Sequence, residues 1–212
     1  MSEREKITTS LKHSTLPLEG ERGGGPHPLH QFLFCPKCGS QCFVEHNAKS
    51  KHCEACGFTY YFNPSAATVA LIEREVPASE DERGNGKSVE WLCVRRAKEP
   101  ARGTLDLPGG FSDMFETSEE GVAREVLEET GLTVVSTEFL FSLPNQYLYS
   151  DFLVHTIDMF FRCRVADSTC ARAADDAAEL LWLRPEDINP DDFGLKSIRA
   201  GIIKLISSAK NS

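Results

Sequence analysis

Between Gly109 and Leu132 the chain reads GGFSDMFETSEEGVAREVLEETGL, with seven carboxylates in 24 residues. Thr117 or Ser118 can cap a helix here, with Glu119 and Glu120 in its first turn, where carboxylates meet the positive end of the helix dipole. Gly131 stands where a left-handed C-terminal cap belongs, so the segment predicts a helix ending near Thr130. At about 100° per residue, Val122, Ala123, Val126 and Leu127 share one arc, which must face a core. Glu125, Glu128 and Glu129 share another, because spacings of three and four place side chains together.

Crowded like charge is repulsive at these spacings, and Arg124 is the only Lys or Arg between Arg102 and Arg162. A solvated helix face would intersperse cations. Hard oxygen ligands tolerate such crowding when a divalent cation neutralises them, and Mg²⁺ or Mn²⁺ favours carboxylate, water and phosphate oxygens. The segment reads as a helix built to hold such an ion against a phosphate-bearing ligand.

A second feature lies upstream. CPKC (Cys35, Cys38) and CEAC (Cys53, Cys56) are separated by 14 residues, and glycine follows each second cysteine. Two such turns complete a tetrahedral thiolate site, so residues 31–63 read as a zinc ribbon with a structural Zn²⁺. An all-thiolate site leaves no position for water, which excludes catalysis at that ion. Its Lys37, Lys49 and Lys51 face Glu45 and Glu54, a thin basic surface for nucleic acid. Cys42, Cys93, Cys163 and Cys170 lack ligand spacing, and Cys93 and Cys163 read as buried thiols.

Around these features lie a Gly/Pro-rich tail (residues 1–30) and a third segment (64–212). Ala66–Glu75 and Val89–Arg96 read as a strand hairpin, residues 133–143, 152–165 and 179–183 as further strands, and 195–209 as an amphipathic helix. On the strand at 152–165, Leu153, Ile157, Phe161 and Val165 share a face. His155 reads as a structural histidine. Tyr147 and Tyr149 can stack on a nucleobase or pack at a strand end. A formal charge of −9 makes nonspecific polyanion binding a poor expectation. No apolar run of about 18 residues predicts a membrane span, and MSEREKITTS lacks a secretory core, so a cytoplasmic setting is expected.

Gly110, Glu116, Arg124, Glu125, Val126, Glu128, Glu129, Gly131 and Leu132 resemble the box of the Nudix hydrolases at all nine defined positions. The resemblance runs from about Ala66 to Ala209, and the ribbon ahead of it is similar to the NADH pyrophosphatase branch. It implies an α/β/α sandwich around a mixed sheet and hydrolysis of a nucleoside diphosphate linked to another moiety. It further implies that Glu125, Glu128 and Glu129 ligate the metal, that Glu116 and Arg124 hold loop to helix, and that Gly110 permits a close turn. It points to Asp176 and Glu179 for a later ligand or base, and it allows a homodimer. The branch signature Ser-Gln-Pro-Trp-Pro-Phe-Pro is met by SLPNQYLYSDF, where only Ser142 and Pro144 fit, so ADP-ribose, NADH and similar dinucleotides all stay open. Two alternatives predict other features: a nucleotide-sensing module would lose the glutamates, and a nucleic-acid-binding ribbon would be basic.

Overall fold

A computed structural model describes residues 27–77 and 87–209. The chain forms two compact units, Met1–Tyr60 and Tyr61–Ser212. The tail expected over residues 1–30 lies mostly outside the described residues. Its last four form part of a turn in which Leu29 is fully buried, so ordered chain begins before residue 31.

The first unit carries β1 (Phe43–Asn47), β2 (Ser50–Cys53) and β3 (Thr59–Tyr61) in that order, with β1 and β2 antiparallel. Its two cysteine turns match. The Gly39 amide donates to the Cys35 carbonyl and the Gly57 amide to the Cys53 carbonyl, each at 2.8 Å. Both glycines take left-handed backbone, φ 73° and 74°, which a side chain would strain. The core is Cys35, Phe43 and Cys53, with Phe32, Phe58 and Tyr60 packed around it. So few apolar groups cannot offset the entropy of ordering the segment without a further constraint.

The second unit is built on a mixed sheet. Its elements are β4 (Ser65–Pro77), β5 (Lys87–Arg96), β6 (Leu105–Asp106), β7 (Gly109–Phe111), α1 (Ser118–Thr130), β8 (Val134–Tyr149), β9 (Phe152–Val165), β10 (Ala177–Leu183) and α2 (Lys196–Ala209). The order is β10-β5-β4-β9-β8, with β6 on β5 and β7 on β4. β4 and β9 run parallel, from Ser65 opposite Thr156 to Ile72 opposite Cys163, and the other pairs are antiparallel. Alternation along β4 builds two cores. Val69 and Leu71 pack with Trp91, Cys93 and Phe160 beneath Ile198, Ile202 and Leu205 of α2. Ala70 and Ile72 pack with Leu92, Phe161 and Cys163 against Val122 and Val126 of α1, which are both fully buried and contribute about 2 kcal/mol each. A helix on each face makes this the α/β/α sandwich that the resemblance implies. Gly201 lets α2 approach the Phe160 ring, since a Cβ there would lie 2.5 Å from Cζ.

Several expectations are corrected. Leu127 is 52% exposed, because the buried arc of α1 centres on Val122 and Val126 and turns toward Glu129 and Thr130. Leu153 and Ile157 are exposed, while the alternate residues Thr156 and Asp158 are buried beside α2. The strand read as 133–143 runs on to Tyr149. Pro144 does not end it, because β8 is an edge strand and a missing amide costs little there. Cys93 and Cys163 are buried thiols, as expected, and burial raises both to about 12. His155 stacks edge-on against Phe62 at 5.3 Å.

Candidate active site and cysteine cluster

Local chemistry sets the register of α1. The Thr117 hydroxyl accepts from the Glu120 amide at 3.2 Å and the Glu120 carboxylate accepts from the Thr117 amide at 2.7 Å, a reciprocal cap. At the far end Gly131, at φ 70°, donates to the Leu127 carbonyl at 2.9 Å. Between these ends Arg124 clamps the β7–α1 loop to the helix. Its guanidinium donates to Glu116 at 2.8 and 3.2 Å, to the Phe111 carbonyl at 3.0 Å, to Glu125 at 2.8 Å and to Glu128 at 3.0 Å. Glu116 also accepts the Asp113 amide at 2.5 Å. Arg124 and that amide together hold Glu116 below the usual carboxylate range.

Two glycines allow close approach here, Gly110 that of the helix to β7 and Gly109 that of β7 to β4. A Cβ on Gly110 would lie 2.6 Å from the Glu125 carboxylate, and one on Gly109, at φ 152°, would strike the Thr68 carbonyl. The Gly109 amide donates to Glu129 at 3.1 Å. Glu129 is 7% exposed, and burial pushes it up to about 8, with the charges of Asp106, Glu125 and Asp176 acting in the same direction. Burial also raises Glu125, against the pull of Arg124.

Glu129 opens onto a cavity of about 420 Å³. Gly110, Tyr147, Tyr149 and Asp176 line it too, so these sequence-predicted residues come together in one place. Burial raises the Tyr147 hydroxyl. Asp176 is ion-paired with Lys98. Glu179 is not brought there: its carboxylate takes Arg95 at 2.8 Å across the β10–β5 ladder, just past a register shift at Ala177. The Glu125, Glu128 and Glu129 oxygens do not converge either. Among the described residues, only the four cysteines form a metal-sized group. Arg124 draws Glu125 and Glu128 toward itself while Glu129 turns to Gly109.

The cavity also holds groups that sequence reasoning missed: Arg96, Lys98, Asp106 and Asp158. Asp106 lies in a two-residue strand and is paired with Arg96 at 2.5 Å. Burial pushes Asp106 up and Arg96 opposes it. The one signal for Asp158 is the alternation of Thr156, Asp158 and Phe160 in the middle of the strand, which places two polar groups on a buried face.

In the first unit the sulfurs of Cys35, Cys38, Cys53 and Cys56 all lie within 4.8 Å of one another. Cys35 and Cys56 are 3.8 Å apart, and Cys38 and Cys53 3.6 Å. A tetrahedral zinc with bonds of about 2.3 Å needs sulfurs about 3.8 Å apart, so the four thiols fit it.

No described helix is long and apolar enough to cross a membrane. Residues 80–205 match the model of the NUDIX domain. The NAD-capped RNA hydrolase NudC of Deinococcus radiodurans is 30% identical over 159 residues, covering 75% of this chain and 50% of that protein. The ADP-ribose pyrophosphatase of Methanocaldococcus jannaschii is 33% identical over 124 residues, covering 58% of this chain and 63% of that protein. The chain thus spans between half and two thirds of the length of these relatives. A NUDIX hydrolase from Nitrosomonas europaea has the same fold, with a TM-score of 0.60 at 22% identity over 84% of this chain and 93% of that one. With the helix, its glycine loops and the sandwich in agreement with that match, the chain belongs to the Nudix hydrolase family.

Proposed function

We propose that this chain is a divalent-metal-dependent pyrophosphohydrolase, acting on the diphosphate of ADP-ribose, NADH or a similar dinucleotide. The observation that carries this reading is the burial of Glu129 on the Gly109 amide, at the wall of a cavity that Asp106 and Asp176 share. Asp106 and Asp176 carry Arg96 and Lys98, whereas Glu129 accepts a neutral amide, and a buried carboxylate held without a cation is costly to the fold and suits a cationic ligand. Glu125, Glu128 and Glu129 are the residues that would hold Mg²⁺ or Mn²⁺, because they offer hard oxygen donors on one helix. The bound ion supplies charge withdrawal from the phosphates and a more acidic water.

The chain's own residues have separate tasks in this reading. Arg124 and Glu116 keep the loop on the helix, and the missing Cβ of Gly110 leaves room for the Glu125 carboxylate. Asp176, at the cavity wall, is the later acid able to take a proton from water, and Lys98 holds it in place. Glu179, which pairs with Arg95 away from the cavity wall, is the alternative later acid. Tyr147 and Tyr149 offer aromatic faces to a base. The name of the Deinococcus relative supports a dinucleotide substrate, and that of the Methanocaldococcus relative supports ADP-ribose. The charge of −9 favours the free dinucleotide over one carried on RNA.

In the same reading, residues 31–63 form a ribbon that holds structural Zn²⁺ through Cys35, Cys38, Cys53 and Cys56. Residues 64–212 form the hydrolase domain, and the setting is cytoplasmic. Exposed Val135, Phe139 and Leu148 on edge strand β8 favour a homodimer.

Glu128→Gln tests the activity. Its side chain is 46% exposed, so the fold should persist, while Mg²⁺-dependent kcat/KM on ADP-ribose and NADH falls about a hundredfold or more. Released phosphomonoesters are the readout, and near-wild-type turnover contradicts the proposal.

A further inference from the structure

Asp158 is a buried carboxylate of the cavity to which the proposed reaction gives no task. It is 4% exposed and lines the cavity from β9. Its Oδ1 accepts the Thr156 hydroxyl at 2.5 Å and its Oδ2 accepts the Ser197 hydroxyl from α2. Neither partner carries charge. Arg96, a half-buried cation of the same cavity, is committed to Asp106 at 2.5 Å and to the Pro100 carbonyl at 2.7 Å. A buried carboxylate without a cation is costly, and packing alone would be met better by an apolar residue. An ionised carboxylate offers about four acceptor positions, and the two hydroxyls take two of them. Acceptor capacity therefore remains at the cavity wall.

The placement also gives direction. Ala67 of β4 pairs with Phe111 of β7 on one side and with Asp158 of β9 on the other. Asp158 thus lies two strand spacings from the glycine loop, about 10 Å. A diphosphate seated at Gly109, Gly110 and Glu129 extends its nucleoside across β4 toward Asp158 and Tyr147. An anionic group would meet the repulsion of Asp158 and Asp106 there, whereas a neutral donor would find an acceptor already held in place.

We propose that Asp158 is a specificity-determining residue that accepts a hydrogen bond from an uncharged donor of the substrate's nucleoside, a ribose hydroxyl or a base amine. This deepens the hydrolase reading and rests on it. The test uses the full chain with Mg²⁺ and three probes: NADH, NADPH and deamino-NADH. NADPH replaces a ribose hydroxyl by phosphate, and deamino-NADH replaces the base amine by oxygen. Wild-type protein should disfavour one analogue by about tenfold or more in kcat/KM, and which one identifies the donor. In Asp158→Asn the KM for NADH should rise about thirtyfold with kcat little changed, and the discrimination should shrink to about threefold.

Ser197→Ala, which removes one supporting hydroxyl, should move KM the same way by about threefold and lower the melting temperature by a few degrees, because a buried acceptor loses its donor. Equal treatment of the three probes by wild type overturns the proposal, as does an unaltered KM and preference in Asp158→Asn. Absence of wild-type turnover on every probe would sink the hydrolase reading instead. Equilibrium binding of NADH to wild type and Asp158→Asn would then still decide the role of Asp158, equal affinities overturning it.

Discussion

Glu129→Gln is expected to lower kcat/KM by about a thousandfold and, in the same molecule, to raise the melting temperature measured without divalent ions. The two effects share one cause. Glu129 is buried, and its carboxyl is pushed up to about 8. An unfolded glutamate titrates near about 4.3, so folding favours the protonated form. A raised value gives stability that is complete below the unfolded value and is lost as pH climbs through the folded one. The metal-free wild type should therefore weaken between about pH 4.5 and 8, by on the order of 5 kcal/mol at most. Glutamine mimics the protonated form and still accepts from the Gly109 amide. Melting curves taken without Mg²⁺ across that window should slope down for wild type and run flatter for the variant. Parallel slopes would show that Glu129 is not a buried acid.

Cys53→Ser is the second large effect, and it falls on the other unit. Apart from Leu29, the buried apolar residues described there are Cys35, Phe43 and Cys53, two of them ligands in the proposed ribbon. A structural zinc supplies about 10–16 kcal/mol of apparent binding energy, far more than burial of Phe43 alone. Loss of one thiolate should drop bound zinc from one ion per chain to none and abolish hydrogen-exchange protection in β1 and β2. Protection in β4, β5 and β9 should persist, because those strands belong to a unit with its own two cores. Wild-type protection of β1 and β2 in a zinc-free variant would contradict this.

What could be read from the chain follows the range of the forces involved. Helix α1 was legible from end to end because caps, periodicity and the left-handed glycine act within a turn or two. The cysteine turns were legible for the same reason, since each closes through a backbone bond four residues long. The extent of β8 was not, because tolerance of Pro144 depends on having no neighbour beyond it. The position of Glu179 was not legible either: just past a register shift at Ala177, it lies off the cavity wall with its carboxylate on Arg95, a residue 84 positions away. Asp158 escaped notice because its burial comes from α2, whose Ser197 is 39 residues downstream.

The most direct measurement is anomalous diffraction from a crystal of the full chain soaked with Mn²⁺ and a non-hydrolysable ADP-ribose analogue. Mn²⁺ peaks are expected between the diphosphate and the carboxylates of Glu125, Glu128 and Glu129, with Arg124 keeping its hold on Glu116. Mn²⁺ bound elsewhere, with those three carboxylates still free of metal and the diphosphate away from Gly109 and Gly110, would contradict the proposed function.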